Sequence, residues 1–496
     1  MNARTSAVAL AIVCSSVATA AAAQDAIRDS VVHITVSQRQ PNLQQPWSKM
    51  PAQDASGTGF IIEGRRILTN YHVVQYANQI YVQPHRSADK LSARLMAFAS
   101  TIDLAVLELE DATFFDDRPP LPLAEGLPPI KGQVNVYGYP LGGLQMSVTE
   151  GIISRVDFVA YYYQSLGLRV QIDAALNPGN SGGPAISDGH VVGVAFSTVQ
   201  SAENIGYVIP CDEIQMFLAD VADNKYDGKP QIFDALQTVE NDALRAKLGL
   251  PKGTGGLMVT GTTQPSETYP LQANDVITHI GESAIDADGR VKASGDLQVS
   301  FQYLVPKLAR DGKLPITRFR SGVSEPVELP VSVSQPQLVP FLNGGYPRYF
   351  IHGPLVFSSA TKEMVFLGGA ARLRQQMSGG VSPLVSRLGD PPAFEGEELV
   401  VVPSPLFAHP ITKGYSHPTG SMVTHVNGTP VKSLVHLVEM LRDSQDEYVE
   451  FRFDHQATET LVFRREQLSA ATDEILTDNG IRKQCSDDLR GVWEKN

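Results

Sequence analysis

The chain has 496 residues, 43% of them hydrophobic and 19% charged, with a net charge of −13. That length suggests about three globular domains, and the acidic balance without a long basic run argues against nucleic acid as a partner. No HExxH, CxxC or EF-hand pattern occurs and the 11 histidines are scattered, so neither a metal nor any other cofactor is expected.

The first 23 residues read as an export signal. Met1 to Arg4 is short and positive, Thr5 to Ala20 is apolar and small, and Ala21-Ala22-Ala23 fits a small-residue cleavage site before Gln24. An uncleaved anchor is the alternative, since the segment is marginally long enough to cross a bilayer. Val13 before Cys14 is not small, which argues against a lipoprotein site. The expected compartment is the periplasm. Cleavage leaves Cys211 and Cys485, which fall in different expected domains and are both expected to be free.

Residues 24–222 carry short strands broken by Gly, Pro and Asn turns, the pattern of an all-β barrel domain. Val31–Val36 comes first, followed by a hairpin-like Gly57-Thr58-Gly59-Phe60 and then Ile67-Leu68-Thr69-Asn70-Tyr71-His72. His72 closes an apolar run, and Asp103 heads the next one, Leu104–Leu109. A buried Asp needs a partner, and His72 is the natural one. Further along stands Leu176-Asn177-Pro178-Gly179-Asn180-Ser181-Gly182-Gly183-Pro184. Small neighbours let a substrate backbone approach Ser181, and glycines free the local backbone to aim N–H groups at one point. A serine hydroxyl is a weak nucleophile without a base, and His72 with Asp103 supplies one. The order His, Asp, Ser is that of chymotrypsin-like double β-barrels. His72, Asp103 and Ser181 are therefore the expected catalytic residues, and Gly179, Asn180 and Ser181 the expected oxyanion hole, through the N–H groups of Gly179 and Ser181. Leu176 with Ala195, Phe196 and Ser197 forms the expected substrate pocket. It lacks an acid, so it should take small or medium aliphatic side chains. Ile214, Phe217, Leu218 and Val221 then recur at helical spacing in a closing helix.

Residues 223–230 form a polar linker. A first module spans 231–335, with Gly255-Gly256-Leu257-Met258 before a strand and Asn274-Asp275 at the turn before Val276–Ile280. Those four residues are the candidate peptide-binding loop, a nest of N–H groups for a terminal carboxylate beside an open sheet edge; a plain turn is the alternative. A second, less regular module spans 346–466. Its loop candidate, Gly353-Pro354-Leu355-Val356-Phe357, loses one donor at Pro354, and the insertion Gly368 to Gly396 has no place in a minimal module of this kind. A scaffolding role is expected for it. The tail, 467–496, carries one helix candidate, Ala470 to Thr477.

Thr69–Val74, Asp103–Leu107, Gly179–Pro184 and Asn204–Pro210 resemble the blocks of the Deg/HtrA family of serine proteases. Pro41-Asn42, Pro46-Trp47, Val400–Val402 and Ser486–Leu489 look like its plant-type branch with two PDZ domains. The resemblance covers nearly the whole chain after the leader. It implies a mainly β protein, a chymotrypsin-like double β-barrel followed by two PDZ-like α+β modules, acting as an ATP-independent endopeptidase on unfolded or damaged proteins. It also implies a homotrimer or a multiple of trimers built through the protease domains, with the segment before His33 and Trp47 as contact candidates. An oligomeric chaperone-like binder with minor cleavage is the alternative function.

Overall fold

The computed structural model describes residues 24–140, 145–160, 166–198, 205–263, 266–366, 382–454 and 458–495. The leader, Asn204 and the first part of the 368–396 insertion lie outside them. The chain divides into two compact units, residues 1–38 with 53–334, and 39–52 with 335–496.

In the first unit two six-stranded barrels close. The first contains β1 (Val31–Gln38), β2 (Gln53–Ile62), β3 (Arg66–Thr69), β4 (Ala77–Gln83), β5 (Leu91–Ala99) and β6 (Leu104–Leu109), in the order β1-β2-β3-β6-β5-β4. The second contains β7 (Gln133–Gly138), β8 (Ser147–Ala160), β9 (Leu166–Ile172), β10 (Pro184–Ser187), β11 (His190–Thr198) and β12 (Gly206–Pro210), in the order β10-β11-β12-β9-β8-β7. Alternating Val, Ile and Leu fill both interiors, and closure removes sheet edges. Helix α1 (Cys211–Asp220) packs Ile214 and Phe217 against the barrels.

The first module follows in the same unit. Its main sheet runs β13 (Ala235–Thr238), β14 (Leu257–Gly261), β15 (Val276–Ile280), β16 (Lys313–Arg320), β17 (Val323–Pro330) in that order. Two consecutive acids at the start of α1 hold the seam between this module and the barrels. Asp212 accepts from Tyr303 Oη at 2.8 Å and Lys307 Nζ at 2.6 Å. Glu213, 1% exposed, accepts from Lys229 Nζ at 2.7 Å and from the Leu168 N–H at 2.8 Å.

The second unit is a separate module with its own core. Strands Tyr349–His352 and Leu355–Ser359 pair, and Val423–Val426, Tyr448–Phe453 and Leu461–Arg464 form a second sheet under the amphipathic helix Leu434–Asp443. The tail belongs to this module. A helix of 14 residues, Arg465–Asp478, longer than the expected one, buries Leu468, Ala471 and Ile475, and Asp487–Trp493 buries Leu489. Residues 39–52, between β1 and β2 in sequence, also belong here: the Trp47 ring lies 5.4 Å from Phe407 and 6.5 Å from Tyr349. Trp47 thus packs within its own chain.

Candidate active site

The first barrel supplies two of the three expected catalytic side chains. At the end of β3 the chain makes one helical turn, Tyr71–Val74, which carries His72. Gln38 Nε2 holds the end of that turn through the carbonyls of His72 and Val73, at 3.3 and 3.0 Å. Asp103 sits at the entrance to β6 with φ +60°, a left-handed conformation that Asp tolerates better than most residues. Its carbonyl accepts from Asn70 Nδ2 at 3.0 Å and the Tyr71 N–H at 3.2 Å, which fixes the strained turn. Its carboxylate then spans His72, taking the backbone N–H at 2.7 Å and approaching Nδ1 at 2.6 Å. Asp103 is 2% exposed, whereas the His72 side chain is 41% exposed. Burial alone would lower the His72 pKa, but the charge and hydrogen bond of Asp103 outweigh it and hold the imidazole above its ordinary value.

The second barrel supplies Ser181, on the loop between β9 and β10. Asn177 to Asn180 makes a turn closed by the Asn180 N–H on the Asn177 carbonyl at 3.0 Å, with Pro178 second and Gly179 third at φ +101°. Proline then a positive-φ glycine is the type II signature. Asn180 therefore spends its N–H on the turn. The N–H groups of Gly179 and Ser181 have no hydrogen-bond partner among the described residues, as an oxyanion hole requires. The Ser181 hydroxyl has the Phe196 carbonyl as its partner, at 3.5 Å. That partner is a backbone carbonyl and not the His72 imidazole.

Of the expected pocket residues, Leu176 packs partly buried on the second-barrel core, and Ala195 joins the Ser181 loop through hydrogen bonds with Gly182 and Gly183. Ser197 continues β11 opposite Tyr207. Phe196 does not close a pocket: it is 2% exposed, inside the core with Tyr137, Tyr139, Val194 and Ile209, and the Arg169 guanidinium lies 4.2 Å over its ring. Gly206 was missed by sequence reading. A Cβ there would lie 2.8 Å from the Leu176 side chain, so glycine leaves Leu176 its room.

The peptide-binding loop expected at Gly255, Gly256, Leu257 and Met258 is corrected by the sheet. Leu257 and Met258 are paired on both sides, with Thr238 and Gln237 of β13 and with Ile277 and Val276 of β15, so this strand has no open edge. The Gly256 N–H is bound to the Asp286 carbonyl at 3.0 Å. A Cβ on Gly255 would lie 2.2 Å from the Ile285 carbonyl oxygen, so glycine serves close packing here. The second module repeats the lesson. The Gly353 N–H donates to Thr472 Oγ1 at 2.7 Å, and a Cβ on Gly353 would lie 2.3 Å from Leu468.

Cys211 and Cys485 are both buried and free. Among the described residues no group of three or more His, Cys, Asp or Glu side chains is arranged to hold a metal ion, and no helix is long and apolar enough to cross a membrane.

Two closed barrels, one with a buried Asp paired to an exposed His and the other with a Ser in a Gly-rich loop, define a chymotrypsin-like serine peptidase. The comparisons agree. A trypsin-like peptidase domain matches residues 57–194 and a PDZ domain matches 342–488. Protease Do-like 2, chloroplastic, of Arabidopsis thaliana is 33% identical over 467 residues, covering 93% of this chain and 75% of that protein. Protease Do-like 4, mitochondrial, of the same plant is 32% identical over 453 residues, covering 90% and 83%. The HtrA-type protease AlgW with tripeptide shares the fold, with a TM-score of 0.50 at 22% identity over 64% of this chain and 97% of that one. The chain belongs to the Do-like, or Deg/HtrA, family of serine proteases and is a serine endopeptidase.

Proposed function

We propose that Ser181 is the nucleophile, His72 its general base and Asp103 the group that orients and charges the imidazole. His72 Nε2 takes the Ser181 proton as Oγ attacks the scissile carbonyl, then returns it to the leaving amine. The N–H groups of Gly179 and Ser181 receive the oxyanion of the tetrahedral intermediate, and Asn180 holds the turn between them. The observation that carries this reading is the double grip of the Asp103 carboxylate on His72, at 2.6 and 2.7 Å. It fixes the proton on Nδ1 and leaves Nε2 as the acceptor.

The substrates in this reading are unfolded or damaged proteins, cut without ATP after small or medium aliphatic residues. The stretch from Leu176 to Pro184 carries no acid, and aliphatic side chains are buried in folded clients but exposed in damaged ones. Extended segments add to the outer edge of β13, which is paired on one side among the described residues. The enzyme is exported by its leader, the periplasm being the compartment, and assembles as a trimer through its protease domains. N-terminal sequencing of the mature protein starting at Gln24 and light scattering giving three times the chain mass check those two points.

The test is cleavage of reduced casein without nucleotide by wild type and Ser181→Ala. Loss of cleavage in the variant is expected. Equal cleavage overturns the nucleophile assignment, and retained suppression of aggregation by an uncleaving wild type favours the chaperone-like alternative.

A further inference from the structure

The nucleophile loop of the second barrel is held by one residue of the first. Thr58, in β2, is fully buried and commits its backbone and its hydroxyl to the site. Its N–H donates to the Ser181 carbonyl at 2.9 Å. Its carbonyl accepts from Thr69 Oγ1 at 2.7 Å, three residues before His72. Its own Oγ1 accepts from the Tyr139 N–H at 2.9 Å and donates to the Gly179 carbonyl at 2.8 Å.

The direction of that last bond is fixed by counting protons. A hydroxyl has one hydrogen, and the Tyr139 N–H is itself a donor that takes a lone pair of Oγ1. The Thr58 hydrogen is therefore left for the Gly179 carbonyl. β-branching restricts χ1, so the hydroxyl has few other directions to take. The fit around it is tight: a Cβ on Gly182 would lie 2.0 Å from the Thr58 carbonyl oxygen, and one on Gly57 would lie 3.2 Å from that of Ser181.

We propose that Thr58 is a positioning residue for catalysis, its hydroxyl anchoring the Gly179 carbonyl so that the oxyanion-binding N–H groups of Gly179 and Ser181 stay in place. This rests on the assignment of Ser181 as nucleophile. Gly179 is the joint of the loop most able to turn, because glycine has no Cβ to restrict it. Among the described residues the Thr58 hydroxyl is the hydrogen-bond donor to its carbonyl. The Ser181 carbonyl two residues on is held by the Thr58 backbone. One residue thus clamps the carbonyls on both sides of Asn180, while the N–H groups of Gly179 and Ser181 keep no partner among the described residues. Since donors aimed at the oxyanion act on the transition state, loosening them lowers kcat more than it weakens ground-state binding.

The experiment compares wild type with Thr58→Val, which keeps the shape and removes the hydroxyl, and with Thr58→Ser, which keeps the hydroxyl. A peptide amide substrate gives kcat and KM, and a peptide boronic acid, which binds serine peptidases as a tetrahedral adduct, reads the oxyanion hole directly. All are measured where circular dichroism shows the variant folded, with Thr58→Ala replacing Thr58→Val should the latter not fold. Thr58→Val is expected to lose about 10- to 100-fold in kcat, part of the roughly 10²–10³ seen when a donor is removed outright. Its KM stays within about twofold, boronate affinity falls in step with kcat, and the acidic limb of the pH profile does not move, since it reports His72. Thr58→Ser recovers to within about threefold. The proposal is overturned if Thr58→Val keeps wild-type kcat, or if boronate affinity is unchanged while both variants lose activity alike. If Ser181→Ala cleaves as well as wild type, the underlying assignment falls; if cleavage needs Ser181 but not the Thr58 hydroxyl, only this inference does.

Discussion

His72 in the first barrel and His352 in the second module are the same side chain treated in opposite ways. His72 faces Asp103 at 2.6 Å, and its pKa is raised. His352 is 3% exposed, its Nδ1 lacks a hydrogen-bond partner among the described residues, and its ring lies beside those of Phe350 and Trp493 at 5.8 and 5.5 Å. With burial as the cause, its pKa is lowered to about 4. Desolvation pushes both imidazoles toward the neutral form, and a single carboxylate reverses the sign for one of them. The paired histidine has a carboxylate beside it to stabilise its cation, as a base that takes a proton from serine would need. The unpaired one is a packing residue.

The largest effect that breaks this comparison is Asp103→Asn, which removes the carboxylate that sets His72 apart from His352. We expect about a 10⁴-fold fall in kcat, because the amide no longer favours the productive tautomer or stabilises the imidazolium. The sign of the pH effect is fixed as well. In wild type His72 must be neutral to act as a base, and its pKa is raised. Activity therefore climbs with pH through a value above the ordinary histidine pKa of about 6.5. In Asp103→Asn that limb moves to lower pH. Profiles of kcat/KM for the two proteins check both statements, and an unmoved limb would show that Asp103 does not set the charge of His72.

A smaller effect concerns Glu213, a buried acid whose cation lies on the linker. Lys229→Met leaves the Glu213 carboxylate, 1% exposed, with the Leu168 N–H as its one remaining hydrogen-bond donor among the described residues. Breaking a buried pair on one side costs about 3–5 kcal/mol, read as a lower urea midpoint for the first unit. A double variant with Glu213→Gln should recover part of it.

Smaller again is the pH dependence of the second module. The folded pKa of His352 is depressed to about 4, below its unfolded value. Its contribution is therefore present above the unfolded pKa and is lost as pH falls toward 4, by up to about 3 kcal/mol. Urea midpoints of wild type and His352→Leu between about pH 7.5 and 4.5 check it. The variant should lose this part of the slope, and equal slopes would show that burial does not hold His352 neutral.

The double barrel and the His72–Asp103 pairing were legible because their residues answer to local rules. A histidine after an apolar run, an acid heading the next strand and a serine among glycines each carry their chemistry in sequence, and their order selects the double barrel. What stayed hidden depended on long-range contact. Gly255 read as part of a ligand loop, but it is glycine because Ile285, thirty residues on, leaves no room for a Cβ, and Leu468 does the same at Gly353. Phe196 read as a pocket wall, yet which side of β11 faces the core is set by the barrel's closure. The last thirty residues read as an unassigned tail because Leu468, Ile481 and Leu489 find their partners in a sheet more than a hundred residues upstream. Thr58 was passed over as a hairpin residue between two glycines. Nothing local shows that its hydroxyl meets a carbonyl 121 residues on.

The central claim is that His72 activates Ser181, and active-site labelling tests it most directly. The full chain is treated with a fluorophosphonate at neutral pH, digested and read by mass spectrometry, beside His72→Ala and Asp103→Asn. The account predicts one phosphonylated residue, Ser181, labelled fast in wild type, far more slowly in Asp103→Asn and slowest in His72→Ala. Label on another serine, or equal labelling of Ser181 with and without His72, would contradict it.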